Sequence, residues 1–289
     1  MDSPVAPHSN KKALIVGLIL AALFAVAYVL VIKAYQKEGE NRTADLSIAE
    51  SKDPNLVAVS AKIVSVDPVK GDMAVRLEFE PKGTLTTDEG VTITKPLKII
   101  TNSANAKAET VVPKGGRMNP VEVAVDLYDG QAMDYPFDKH TAELTVTIES
   151  DETAVPLSIE VFGSVSGLKI DSEKAKENTE DFADVEMKVS RGQTTFIFSL
   201  FITVTMWLLT ISVVCLSFLV VTGRRKIELG MFSFLGALLF AFPALRNAQP
   251  NVPPIGTLSD FLGFFWAEVV IALCLVTIVA TWLVRPQPK

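Results

Sequence analysis

Four apolar runs constrain this chain more than any other feature. Residues 13–32, 196–221, 227–242 and 261–284 carry almost no charge. A helix needs ~20 predominantly apolar residues to cross the hydrocarbon core of a bilayer. The runs therefore predict a membrane protein with one span before, and three spans after, a long polar region. That region, residues 43–190, is long enough for one globular domain with its own core. The 49% hydrophobic content of the chain is thus concentrated in a few blocks.

The first run has two readings. Ala25-Val26-Ala27 fits the small-residue cleavage pattern of a signal peptide. The apolar stretch continues to residue 32, longer than a typical signal core, which favours an uncleaved anchor.

Charge orients the spans. Lys11 and Lys12 precede the first run, and Arg224, Arg225 and Lys226 fill the short loop 222–226. Short loops rich in Lys and Arg stay in the cytoplasm. The expected layout is a plasma-membrane protein with cytoplasmic tails at 1–12 and 285–289. The domain at 43–190 and the loop at 243–260 are then extracytoplasmic. Lys33, Lys37 and Arg42 run against this count, but Glu38, Glu40 and Asp45 lie among them.

Partners and chemistry are bounded next. Residues 43–190 hold 15 Lys+Arg against 27 Asp+Glu, a net −12, and the rest of the chain is +6. An acidic domain has no basic face for nucleic acid, and the apolar runs make membrane lipid the implied environment. Cys215 and Cys274 both lie in apolar runs, which leaves the domain without a disulfide or thiolate metal site. The two histidines are His8 and His140, and no spacing of His, Asp and Glu suggests a metal. No catalytic residue and no cofactor is expected.

The domain reads as β-structure. Residues 56–66 alternate, with Val57, Val59, Ala61 and Ile63 on one face. Asp67-Pro68 and Lys70-Gly71-Asp72 then turn the chain into 73–79, a second period-two stretch. Further strands are expected at 91–101, 109–112, 121–127, 141–149, 156–165 and 182–189. The charged segment 171–181 reads as a loop or one short helix. Short strands separated by turns suggest an antiparallel β-sandwich.

Three stretches resemble the pentameric ligand-gated ion channels, the Cys-loop receptor superfamily in its cysteine-free bacterial form. Tyr135-Pro136-Phe137-Asp138 looks like that family's aromatic-Pro-Phe-Asp loop. Residues 185–196 pass through Arg191 straight into a span. Residues 225–254, ending Val252-Pro253-Pro254, look like its second span and exit loop. The resemblance covers about residues 55–284. It implies that Tyr135, Pro136, Phe137, Asp138, Arg191, Pro253 and Pro254 couple the domain to the membrane helices. The chain departs from that family in having three spans after the domain and one before it. The whole chain also resembles an uncharacterised family of bacterial four-span membrane proteins, a domain-of-unknown-function family sharing the Tyr-Pro-Phe-Asp motif.

Several residues have both a structural and a functional reading. Asp138 either pairs with Arg191 at the membrane surface or closes a local turn behind Pro136. In the third run Glu228, Phe232, Leu235, Leu239 and Phe242 share the face that the resemblance points into a pore. Only Glu228 on it is polar, so it does not look wet. An adjacent face of Gly230, Ser233, Ala237, Ala241 and Ala244 suits close helix packing. Glu268 is the acid inside the last run, and is expected to snorkel or to pair with Arg246. The reading that follows is a non-enzymatic membrane protein, a homo-oligomer or an associate of another membrane protein. Its outer β-sandwich would bind a partner or ligand in the cell envelope. The alternative is a subunit of a pentameric channel-like assembly.

Overall fold

The computed structural model describes residues 11–40, 46–48, 53–87, 91–105, 108–175 and 178–285. The tails expected at 1–12 and 285–289 therefore lie outside the described residues, apart from residues 11, 12 and 285. The first helix, α1 (Lys11–Glu40), belongs to a unit of its own that ends at Asn41. Its described apolar stretch, Phe24–Lys33, is shorter than a membrane span.

The second unit opens with a large, mostly antiparallel β domain. Its strands are β1 (Leu46–Ile48), β2 (Val57–Asp67), β3 (Asp72–Pro81), β4 (Leu97–Thr101), β5 (Glu109–Val112) and β6 (Val121–Tyr128). They continue as β7 (Lys139–Ser150), β8 (Thr153–Ala154), β9 (Leu157–Phe162), β10 (Leu168–Lys174) and β11 (Phe182–Arg191). The ladder runs β1-β9-β2-β3-β6-β7-β11-β10, with β4 pairing both β5 and β7, and β8 pairing β7. One pair departs from the expected antiparallel pattern, since β2 and β9 run parallel, Val59 opposite Ile159.

Period-two alternation is what folds this sheet over one core. Val57, Val59, Ala61 and Ile63 of β2 and Met73, Val75 and Leu77 of β3 are all buried. They share an apolar cluster with Leu144, Val146 and Ile148 of β7 and Val185, Met187 and Val189 of β11. Val64, on the outward phase of this alternation, is exposed, and the register shifts between Ile63 and Ser65.

The charged segment from Asp171 is a strand in its first half rather than a loop or helix, because β10 pairs along β11 from Leu168 to Lys174. It ends the ladder, and an edge strand can carry Lys169, Asp171 and Glu173 outward where an inner strand could not.

Three helices follow that are long and apolar enough to cross a membrane. They are α2 (Gln193–Val221), α3 (Leu229–Asn247) and a last segment, Asp260–Val284, whose α-helical part is α4 (Phe265–Val284). The last segment opens with a π-helical turn, Asp260–Phe264. Helix α2 packs on this segment closely at Gly263, where an added Cβ would stand 2.9 Å from the Thr203 methyl.

One expected boundary is corrected here. Helix α3 does not stop at 242; it runs through Pro243 to Asn247. Proline removes one backbone donor and kinks a helix without obliging it to end. The last turn carries Arg246 into a buried contact that holds it. The face holding Leu235 and Phe242 turns inward within the chain. Those two side chains are buried in the bundle's own core, with Phe232 and Leu239 packed against it. Gly230, Ser233, Ala237 and Ala244 are exposed instead, and Ala241 is half-buried.

Candidate functional site

The β domain meets the helices at one polar junction. Strand β11 ends at Arg191 and α2 begins at Gln193, so the domain's last residue and the helix's first are almost continuous. Gly167 holds this joint from the side. Its carbonyl accepts the Gly192 N–H at 2.9 Å and the Thr195 hydroxyl at 2.9 Å. Its φ of +76° lies in the left-handed region that suits glycine, and a Cβ there would come 2.9 Å from both Asn251 Nδ2 and Thr195 Oγ1.

Arg191 and Asp138 are the centre of the junction. Arg191 Nε donates to Asp138 Oδ1 at 2.9 Å, and Nη2 donates to Oδ2 at 2.8 Å. The side chains are 2% and 1% exposed. The fork is charge-assisted and bidentate, the strongest geometry a guanidinium offers a carboxylate. The remaining arm, Nη1, donates to the Asn251 carbonyl at 3.1 Å, which ties the pair to the loop between α3 and α4. His140 Nε2 lies 3.2 Å from Asp138 Oδ2, and supplies a further polar neighbour.

Tyr135 fills the floor of the junction. Its ring is fully buried, with the Arg191 guanidinium carbon 4.9 Å from its centroid. Its hydroxyl donates to the Pro250 carbonyl at 3.0 Å, and its own carbonyl accepts the Ser259 N–H at 3.2 Å. Burial pushes the phenol up to about 12, with Arg191 opposing the rise. The Tyr135–Pro136 peptide is cis. Phe137, by contrast, is 53% exposed and meets Phe196 of α2 edge-on at 5.4 Å.

A second buried pair lies in the same loop. Arg246 donates through Nε to Asp260 Oδ1 at 2.7 Å and through Nη2 to Oδ2 at 2.8 Å. Asp260 Oδ2 also accepts the Gly256 N–H, the Thr257 N–H and the Thr257 hydroxyl. Gln249 Oε1 accepts from Ser199 of α2 at 3.2 Å and from Ser259 at 3.5 Å. The loop between α3 and α4 is thus closed on itself and pinned to both the β domain and α2.

The expected site residues divide accordingly. Tyr135, Asp138 and Arg191 converge, and Pro136 is buried with them. The Pro253 carbonyl accepts from Arg246 Nη2, so Pro253 serves the second pair, while Pro254 is exposed. Glu228 is an exposed residue immediately before α3, at the opposite end of that helix. Glu268 lies in α4 and does not pair with Arg246, which Asp260 has already taken. Glu268 Oε2 is buried with no hydrogen-bond partner among the described residues. Asn251, Gln249, Asp260 and Gly167 were not singled out by sequence reasoning. The Thr257-x-x-Asp260 spacing, where a carboxylate bonds backbone N–H groups at a helix start, was the available signal for one of them.

No group of three or more His, Cys, Asp or Glu side chains converges for a metal among the described residues. The polar groups at the junction are spent on one another, so the arrangement holds and orients elements.

Fold and site together define a β domain clamped to a set of membrane-length helices. Residues 47–189 match a domain of unknown function (DUF4436), and residues 191–285 match a second domain of unknown function (DUF8686). The two matches meet at the junction, with Arg191 the first residue of the second. None of the curated proteins matches this chain.

Proposed function

We propose that this chain is a non-enzymatic, multi-pass protein of the plasma membrane whose β domain binds a partner, another subunit or a component of the cell envelope. In this reading α1 is a fourth span, the β domain packs as a sandwich outside the cytoplasm, and both tails are cytoplasmic. The Arg-Arg-Lys loop at 224–226 supports that orientation. Arg285 at the end of α4 donates to the Val221 carbonyl at 2.8 Å, which brings the end of the last helix beside that loop.

The observation that carries the reading is the buried Asp138–Arg191 fork, joined through Asn251 to the α3–α4 loop. A freely swivelling anchor would not require it. A domain held this way passes any change in its pose to α2 and to the loop, which is what a sensing or assembling module needs. The test is the particle formed in mild detergent, sized by light scattering. A defined homo-oligomer or a stoichiometric complex is expected, and a strict monomer with no co-purifying protein sinks the reading.

The second reading is a subunit of a pentameric ligand-gated channel-like assembly. Its specific support is the uncovered small-residue side of α3, Gly230, Ser233, Ala237 and Ala244. Close helix packing between subunits would use such a side. Planar-bilayer recording of the purified protein tests it. Silence across pH and candidate ligands removes it, as does a particle with any number of subunits other than five.

A further inference from the structure

A cleft of about 670 Å3 opens beside the junction, between the β2–β3 turn, the segment 165–168 and the Arg191–Asn251 contact. Its size falls in the ~300–1,000 Å3 range of sites that enclose small molecules. The polar walls are Asp67, Lys70 and Asp72 on the hairpin side and Asn251 opposite, with Val165 and Leu168 supplying apolar surface.

Most of the charge in the cleft is already committed. Arg191 is held by Asp138 and the Asn251 carbonyl. Asp67 accepts the backbone N–H groups of Lys70 and Val69, and the first of these leads in holding its carboxyl below the usual range. Lys70 Nζ lies 3.5 Å from Asp67 on an exposed stem that is free to swing. Asp72 is exposed and makes no side-chain hydrogen bond or ion pair among the described residues. The ligand that complements this wall carries a cation for Asp72 and an anion within reach of Lys70. A purely anionic group would face two carboxylates. A quaternary ammonium would find no aromatic lining to receive it, whereas a primary ammonium donates hydrogen bonds to carboxylates.

Position supplies the rest. Arg191 stands two residues before α2, and Asn251 lies in the loop between α3 and α4. If those helices span a bilayer, the cleft lies at the level of the lipid headgroups. Val69, at the tip of the β2–β3 turn on the cleft's rim, is 51% exposed and apolar, as suits a residue dipping into that layer.

We infer that this cleft binds the phosphoethanolamine headgroup of a membrane phospholipid, its ammonium on Asp72 and its phosphate toward Lys70. The inference rests on the membrane-spanning reading of α2–α4.

The test uses the full chain in detergent, exchanged into phosphatidylethanolamine, phosphatidylcholine or phosphatidylglycerol of identical acyl chains, with retained lipid counted by native mass spectrometry. Retention of phosphatidylethanolamine about fivefold above the other two is expected, the scale of one charge-assisted hydrogen bond at a half-exposed site. Asp72→Asn and Lys70→Ala should each bring that preference down toward the phosphatidylcholine level while the protein's melting temperature holds. Equal retention of all three lipids by the wild type, or a preference unmoved by both substitutions, overturns the inference. So does soluble phosphoethanolamine binding as tightly as the lipid, since that makes the ligand a free metabolite. A chain recovered from the aqueous fraction instead of the membrane fraction sinks the spanning reading itself, a separate outcome.

Discussion

Arg191 reaches back 53 positions to grip Asp138 with two parallel hydrogen bonds, and the same guanidinium spends its last arm on the carbonyl of Asn251. One side chain therefore joins the final β-strand, the Tyr135–Asp138 loop and the loop between α3 and α4. Because both partners are almost wholly buried, neither can fall back on water when the other is lost.

Replacing Arg191 with Ala, or Asp138 with Ala, should cost about 3–5 kcal/mol, because each leaves an uncompensated buried charge. The Asp138→Ala, Arg191→Ala double variant should lose clearly less than the sum of the single losses. Thermal unfolding of the purified protein measures all of these. Additive losses would show that the pair is not coupled.

Tyr135→Phe removes the bond to the Pro250 carbonyl and should cost about 1 kcal/mol near neutral pH. It should also change the alkaline limb of the stability curve. The buried phenol is pushed up to about 12, from an ordinary value near 10. Above pH ~10 the unfolded chain gives up this proton and the folded chain keeps it, so stability falls as pH rises from about 10 to 12. Below that window both states are protonated and the group contributes no slope. Urea titrations at pH 9 and pH 11 should show the drop in the wild type, and a smaller one in the variant.

Gly167→Ala should loosen the junction without touching a charge. The backbone there has φ +76°, and the new methyl meets Asn251 and Thr195 at 2.9 Å. A loss of about 1–3 kcal/mol is expected. Proteolysis of the loop between α3 and α4 should rise with it, because Asn251 is displaced from the Ser166 carbonyl it now bonds. Unchanged cleavage would argue against this coupling.

Glu268→Leu should leave the melting temperature unchanged or raise it. The buried Oε2 makes no hydrogen bond among the described residues, so an apolar replacement loses none and avoids burying a polar atom. A drop of several degrees in the assembled particle would reveal that a neighbouring molecule partners the carboxyl.

Much of this architecture was legible because the signals are local. The alternation of Val57, Val59, Ala61 and Ile63 states which face is buried, and each strand shows it within its own residues. The resemblance of Tyr135–Asp138 to a known loop paired Asp138 with Arg191, which no spacing could have done. Strand β10 was missed because an edge strand pays no penalty for charge on its solvent side. Arg246 takes Asp260, not Glu268, the acid that the sequence offers as one possible partner. Proline at 243 looked like a helix end, and Glu268 looked like the acid within reach. In the fold the helix continues through Pro243, and the π-turn sets Asp260 against the guanidinium.

By itself, the sequence determined the polar domain, the three membrane-length helices after it and the inward face of most strands. These follow from run length and periodicity, which depend on neighbouring residues alone. Only the tertiary structure decided which buried charges meet, and that the small-residue side of α3 faces outward while Leu235 and Phe242 close the bundle. Those outcomes depend on where distant backbones cross. A buried charge must take the partner that packing brings within about 3 Å, whatever its place in the chain.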